Sequence, residues 1–495
     1  MSGVAELLQD ASTALEAGDV ATALARIAAA IEADDPPLAH VMLGGIAYMD
    51  DRFPDAREEW ERAFAGLRST GDLRAAASVA IDLAELHANT LGNTAAGNGW
   101  ANRARRLLEK VGPCPEWGHL ELAFMACERP DVDDLLRSAE RALVIAAEFD
   151  DVALEVRALA DSGLALVTQG RVHEGFDRLD AALAAIAAGE VRDLSVVGKS
   201  FCSMLSSCDR VGDVRRAEEW TNLVQAMVLD RFDGRPRVLH THCLAAYGSV
   251  LCSAGRWPEA ESAMNEVLGP TGSSSFGHRA DTAATLALLR VEQGRLDEAA
   301  ALLEPYEDRV TACVPMARLH LGRSEPEAAA AVLRRGLGAL VGDALRGATL
   351  LSLLVEAELS HGDIDAARAA AVRLAAIAAD AESPVLAAEA DIARASTWRL
   401  AIAPRRSRPS KPRNGTSSPA NGRSSRVSSA SRSRRCSPRP ATTRPRSPRP
   451  VPRSRRSNGS AQPPIAIERE RCCGRSASAL ASACAIGPVP RCSRR

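Results

Sequence analysis

The chain has 495 residues, enough for several ordinary domains or one long repeat array. Hydrophobic residues make up 46% but aromatics only 3%, which argues against a large β protein, because strands lean on aromatic and β-branched side chains. The formal net charge of −2 hides two opposed parts: residues 404–495 hold 23 Lys+Arg against 2 Asp+Glu, which leaves 38 and 61 for residues 1–403.

The N-terminal text MSGVAELLQDASTALEAGD has neither a cationic segment nor an apolar stretch of signal-peptide type. No run of 18 apolar residues follows, so no membrane span is expected. Seven cysteines are scattered through the body without CxxC pairs (Cys114, Cys127, Cys202, Cys208, Cys243, Cys252 and Cys313). They read as reduced, mostly buried residues of a cytoplasmic protein.

Along the body one phrase recurs: a helix ending, a Gly, a polar residue, then an Ala-rich helix. It reads AGDVATALARI from Ala17, QGRVHEGFDRL from Gln169, VGDVRRAEEW from Val211 and AGRWPEAESAM from Ala254. It returns as QGRLDEAAALL from Gln293, LGRSEPEAAAAVL from Leu321 and HGDIDAARAAA from His361, and a Gly-less form, DDRFPDAREEWERAF, starts at Asp50. Gly170, Gly212, Gly255, Gly294, Gly322 and Gly362 mark the turns, 42, 43, 39, 28 and 40 residues apart. Gly supplies the left-handed conformation that ends a helix, and Pro54 and Pro258 sit where a first-turn proline is tolerated. Ala56, Ala217, Ala260, Ala299 and Ala366 let the two helices approach closely. Within WPEAESAMNEVLG, Ala260, Met264 and Leu268 share one face. Each unit of about 40 residues is then a helical hairpin that buries its apolar face only by stacking on others.

This pattern resembles the tetratricopeptide repeat, and more closely its longer relatives in bacterial regulators, over about Val4 to Leu400. The expected fold is therefore all-α: a tetratricopeptide-like helical-hairpin repeat superhelix over residues 1–400, followed by a disordered Arg/Ser/Pro-rich tail over 404–495. From Leu86 to Asp150 the helical pattern persists without the phrase.

Few residues suggest chemistry. Gly198-Lys199-Ser200 has the ending of a phosphate loop, but Asp193 stands where the motif needs its first Gly, and the flanks look helical; the plain reading is a helix with one exposed Lys. His240, His242 and Cys243 form an HTHC cluster with no second pair at metal-ligand spacing, so the plain reading is a polar cluster on a helix that lines a groove. Trp60, Trp220 and Trp257 lie near the phrases; such aromatics are usually core, but on a concave face they anchor ligands. The candidate groove residues are thus Trp220, His240, His242 and Trp257. Gly269–Asp281 (GPTGSSSFGHRAD) reads as a flexible linker. No catalytic constellation, cofactor motif or metal site is found, and an enzyme is not expected.

The tail lacks interleaved aromatics and any zinc pattern, so read literally it would contact nucleic acid through phosphates alone. A frameshift near residues 399–403 explains it better. Back-translation read from the third codon base turns Pro and Arg mostly into Ala or Glu, and Ser and Cys mostly into Leu, Val or Phe. The shifted apolar residues fall at Ser433, Cys436 and Ser437, at Ser447, Ser454 and Ser457, and at Cys472, Cys473 and Ser476, spacings of amphipathic helices. One permitted text, AALEAFERLGAAADRDRA followed by ALLR, is similar to the helix before the helix-turn-helix in actinobacterial LuxR-type regulators with tetratricopeptide-like sensor regions. That resemblance implies a transcription-regulator lineage, with a protein or small-molecule effector in the repeat groove and DNA as partner only if the helix-turn-helix frame is restored. The family's LT-x-REREVL phrase does not occur in this frame, so no DNA-contact residue carries over. The alternatives are a free-standing protein-interaction scaffold and non-specific nucleic-acid binding through the basic tail.

Overall fold

A computed structural model describes residues 2–127, 131–232, 237–270 and 275–402. The tail at 404–495 lies outside the described residues. The described part belongs to one compact unit, Met1–Pro404, and contains helices but no strand.

Twenty helices pair as ten antiparallel hairpins. The first five are α1 (Ser2–Glu16) with α2 (Val20–Asp34), α3 (Pro37–Met49) with α4 (Phe53–Thr70), α5 (Leu73–Glu85) with α6 (Thr94–Val111), α7 (Glu116–Cys127) with α8 (Val132–Phe149), and α9 (Val152–Gln169) with α10 (Val172–Ala188). The next five are α11 (Leu194–Val211) with α12 (Val214–Phe232), α13 (Arg237–Ser253) with α14 (Trp257–Leu268), α15 (Phe276–Glu292) with α16 (Leu296–Leu303), α17 (Cys313–Gly322) with α18 (Pro326–Ala339), and α19 (Ala344–His361) with α20 (Ile364–Asp380). A last helix, α21 (Pro384–Ile402), packs on α20 and α19. The all-α hairpin-repeat architecture is thus the one the sequence implies.

The repeated phrase is the turn inside the hairpin. Its left-handed residue is Gly18, Asp51, Gly170, Gly212, Gly255, Gly294, Ser324 or Gly362. The next residue serves both helices. Its N–H closes the first helix by reaching back five residues, 2.8 Å from Asp19 to the Ala14 carbonyl and 2.9 Å from Asp363 to that of Glu358. The same residue then caps the second helix. Where it is Asp, its carboxylate accepts the exposed N–H groups, from Thr22 to Asp19 at 3.0 Å and from Ala366 to Asp363 at 2.9 Å. Where it is Arg, an acid three residues on pairs with it: Arg52 with Asp55 at 2.6 Å, Arg256 with Glu259 at 2.9 Å and Arg295 with Glu298 at 2.8 Å. The Asp/Arg alternation after the Gly follows from these two ways of finishing a helix start.

Two positions shift from the sequence reading. The left-handed residue between α17 and α18 is Ser324, at φ 62°, and α17 runs through Gly322. The small residue lies five positions after the left-handed one: Ala23, Ala56, Gly175, Ala217, Ala260, Ala299, Ala329 and Ala367 all are buried there. Ala366 is one residue early and only partly buried. Neither α5–α6 nor α7–α8 uses the phrase; α5 runs instead into a π-helical turn, Leu86–Thr90.

Ala260 illustrates the packing. It is wholly buried on α14 beside Met264, whose side chain fills the space above Gly248 on α13. Ala260→Leu is expected to cost about 1–3 kcal/mol by overpacking. Thermal unfolding reads this out, and an unchanged melting temperature would mean that the register assigned to the hairpin is wrong.

The array winds back on itself. Helices about ten places apart touch: α3 meets α13, the π-turn meets α15, and α9 meets α19. Loops join across this seam, with Glu382 N–H donating to the Gly170 carbonyl at 3.0 Å. The first helices of the pairs pack on one another, α9 on α11, α11 on α13, α13 on α15 and α15 on α17.

Candidate functional site: a charged chamber among the first helices

First helices α11, α13, α15, α17 and α19, together with a 3-10 turn at Val310–Ala312, line a half-open cavity of about 370 Å³. Leu205, Leu288, Val314, Pro315 and Leu345 make much of its apolar wall. Four charged side chains line it: Asp209 and Arg210 from α11, Asp281 from α15 and Arg346 from α19. Asp209, Asp281 and Arg346 keep access to solvent, and Arg210 is half-buried.

That position shows in their protonation. Burial pushes the Arg210 pKa down to about 10, and the nearby Arg346 charge adds to the effect. Burial raises the carboxyls of Asp209 and Asp281 above their ordinary value, against the attraction of the neighbouring arginines. His278, also on the wall, is lowered to about 4 by burial and is neutral at pH 7. Asp209 accepts a hydrogen bond from Ser249 Oγ at 2.6 Å. Arg210 donates from Nη1 to the Ser206 carbonyl at 2.9 Å, while its Nε is buried without a partner. Thr311 Oγ1 lies close enough to favour ionised Asp281, but it too is buried outside hydrogen-bonding geometry.

A second charged group lies among α3, α5, α9 and α11. Glu85 pairs with Lys199 and, at 3.3 Å, with Arg157, which pairs with Asp161 at 2.8 Å. Burial works to raise the Glu85 pKa, but Lys199 and Arg157 overcome it and hold the carboxyl at about 2. At nearby Asp82 burial outweighs the attraction of Lys199 and drives the carboxyl up to about 7. Its unfolded value is 3.8, so it weakens the fold as pH rises from about 4 to 7, and the penalty is complete above 7. Asp82→Asn should therefore melt higher than the parent at pH 8 and alike at pH 4. A variant that melts lower at both values would show that the carboxylate is a needed partner.

Lys199 corrects one expectation. The GKS text does lie in a helix, capped by Asp193, which accepts from Ser195 N–H at 2.8 Å. But Lys199 is not a freely exposed lysine; it is tied to Glu85. The segment Gly269–Asp281 also differs from a simple linker, because α15 begins at Phe276 and carries His278 and Asp281 onto the chamber wall. Residues 271–274 lie outside the described residues.

Of the four groove candidates, two can be placed by their side chains. Trp220, on second helix α12, packs against the main core and donates from Nε1 to Asp180 at 3.0 Å. Trp257 opens second helix α14 and is 42% exposed. Neither lines the chamber. His240 and His242 lie in α13, but their side chains are outside the described part of the structure. The chamber residues were legible in one respect: His278, Asp281, Thr285 and Leu288 follow helical spacing, a signal hidden by reading their start as a loop. Among the described residues no three His, Cys, Asp or Glu side chains form a group that could hold a metal. No helix there is long and apolar enough to cross a membrane.

The fold and this site define a helical-hairpin repeat protein of tetratricopeptide-like architecture with a charged chamber among its first helices. No protein-family model matches the sequence, and no curated protein matches it. Solved structures similar to it include yeast Tom70, at 13% identity and TM-score 0.34 over 81% of this chain and 96% of that one. The P58(IPK) TPR domain is 15% identical, with TM-score 0.23 over 72% and 98%. A chain of the APC/C hetero-tetramer Cut9-Hcn1 is 11% identical, with TM-score 0.25 over 81% and 96%. The fold assignment rests on the helix pairing in this chain rather than on these likenesses.

Proposed function

We propose that the hairpin array is the effector-receiving region of a LuxR-type transcriptional regulator, and that the effector, a protein segment or a small molecule, enters the chamber among the first helices. The observation that carries the receptor part is the cavity itself, where apolar side chains and the charged Asp209, Arg210, Asp281 and Arg346 line one space. A concave space with an apolar wall and a few charged groups is the usual form of a ligand site. The regulator part draws on the shifted-frame text and on α21. That helix presents Val385, Ile392 and Trp398, each at least 60% exposed. Elsewhere in the array a second helix packs on each first helix, and the shifted frame offers a further helical phrase.

The test pairs the gene's nucleotide sequence with a binding assay. Restoring the alternative frame from about residue 400 should lead into a helix-turn-helix, and the repaired chain should prefer particular promoter fragments through base contacts. The chain as written should bind DNA without sequence preference and lose that binding steeply with salt, since its basic tail offers phosphate contacts only. Stop codons before any helix-turn-helix would remove the regulator reading and leave an interaction scaffold.

A further inference from the structure

We propose that the exposed face of α6, with Arg68 of α4 beside it, is a docking surface for a short acidic segment of a protein partner. The surface shares no residue with the chamber, and the inference does not depend on the reading of the chamber as an effector site.

The charges of this face stand apart from the rest of the array. Acids outnumber bases 61 to 38 over residues 1–403, yet α6 holds four bases, Arg103, Arg105, Arg106 and Lys110, against the single acid Glu109. Most arginines of the array have an acid beside them, as Arg62 has Glu58 at 2.7 Å and Arg74 has Glu116 at 2.8 Å. Arg68, Arg103, Arg106 and Lys110 are all exposed, and among the described residues none of them has an ion-pair or hydrogen-bond partner. Helical spacing puts Arg103, Arg106 and Lys110 at i, i+3 and i+7, on one face. Gly99 continues the line one turn earlier, with open space where a side chain would stand. A cation in the last turn, such as Lys110, suits the helix dipole; Arg103, two turns before the end, gains nothing from it.

Two aromatic rings fix the geometry. Phe64 on α4 and Trp100 on α6 meet edge to face at 5.0 Å, and the Arg103 guanidinium lies 4.8 Å and 4.5 Å from their centroids. The Arg68 guanidinium lies 5.8 Å from the same Phe64 ring, so cations from two helices gather at one aromatic pair. A guanidinium stacked on a ring keeps its N–H donors in its own plane, where carboxylate oxygens reach them. The line from Arg103 to Lys110 is about 10 Å long, which about three extended residues span. The occupant follows from the charge of the whole array. Nucleic acid or an anionic membrane reaching this face would also lie against the acidic remainder. A short acidic segment meets only the local field, because charges beyond about 8–10 Å are screened.

The experiment is photo-cross-linking on the full chain with a biotinylated hexaglutamate peptide. The photoreactive amino acid p-benzoylphenylalanine replaces Gly99 in one protein and Val372, exposed on α20, in another. Hexaglutamate should label the Gly99 position at least about fivefold more than the Val372 position, and physiological salt should weaken that labelling. Adding Arg106→Glu and Lys110→Glu should cut it about tenfold, and Arg106→Gln with Lys110→Gln should cut it several-fold. Circular dichroism checks that both variants are folded. The basic tail is the same in every protein, so equal labelling at the two positions, or labelling that survives the charge reversal, overturns the proposal. Two further outcomes assign the face to another occupant. If short duplex DNA displaces the peptide from the Gly99 position as readily as unlabelled hexaglutamate does, the face takes nucleic acid and the proposal falls. If the parent chain sediments as a salt-sensitive dimer that Arg106→Glu with Lys110→Glu abolishes, a second copy of this chain occupies the face and the proposal falls too.

Discussion

Arg157→Met is expected to destabilise the array by about 3 kcal/mol, the lower end of the cost of removing one partner from a buried ion pair, because each carboxylate keeps one other partner. The Arg157 side chain is only 12% exposed and joins Glu85 on α5 to Asp161 on its own helix α9. Burial alone would lower its pKa; Asp161 and Glu85 reverse that and hold it raised. Methionine keeps most of the volume but none of the charge. Glu85 would keep Lys199, while Asp161 would keep Ser203, whose Oγ is 3.4 Å away. The loss should also depend on pH. Glu85 has a depressed folded pKa, so its contribution is present above about 4.5 and fades as pH falls toward 2. The difference between parent and variant should narrow over that range as Glu85 becomes neutral. Denaturant unfolding at pH 7 and pH 3 measures both effects. A loss under about 1 kcal/mol with no pH dependence is the behaviour of an exposed pair and would count against a buried network.

Gly175→Leu should cost about 3 kcal/mol, the upper end of overpacking effects. A Cβ at Gly175 would lie 2.7 Å from the Gly163 carbonyl oxygen and 2.8 Å from the Val167 nitrogen, both backbone atoms of α9. Those atoms cannot swing aside as a side chain can, so α9 and α10 would have to separate. The roughly 1 kcal/mol that a helix gains by losing a glycine offsets only part of this. Gly45 on α3 is the control, because a Cβ there meets nothing within 4 Å. Gly45→Ala should therefore be neutral or stabilising. If the two substitutions behave alike in thermal unfolding, the close approach of α9 and α10 is not what selects glycine.

Much of the fold was readable because its turn is local. The left-handed residue, the cap that follows it and the small residue five positions on all lie within one short phrase, so eight of ten hairpin turns announce themselves. The phrase misleads where another residue takes the left-handed role, as Ser324 does, and where two alanines adjoin, so that Ala367 rather than Ala366 is the buried one. It gave no phrase for α5–α6, because a π-helical turn replaces the usual one there.

The candidate site was much less legible. Trp220 and Trp257 were reasonable anchors by residue type, yet each belongs to a second helix, away from the chamber. Lys199 stood out for a phosphate-loop resemblance, and its actual partner, Glu85, lies 114 residues away.

The sequence by itself determined the helices, the hairpin turns and the small residues that let paired helices meet, since each depends on neighbours within a few residues along the chain. Only the tertiary structure decided which charges share a space. Asp209 and Arg210, Asp281, and Arg346 come from three separate hairpins, and Glu85 reaches Lys199 across five helices. The curvature of a stacked array sets those meetings. It accumulates from many small packing angles between hairpins, which no short stretch of sequence encodes.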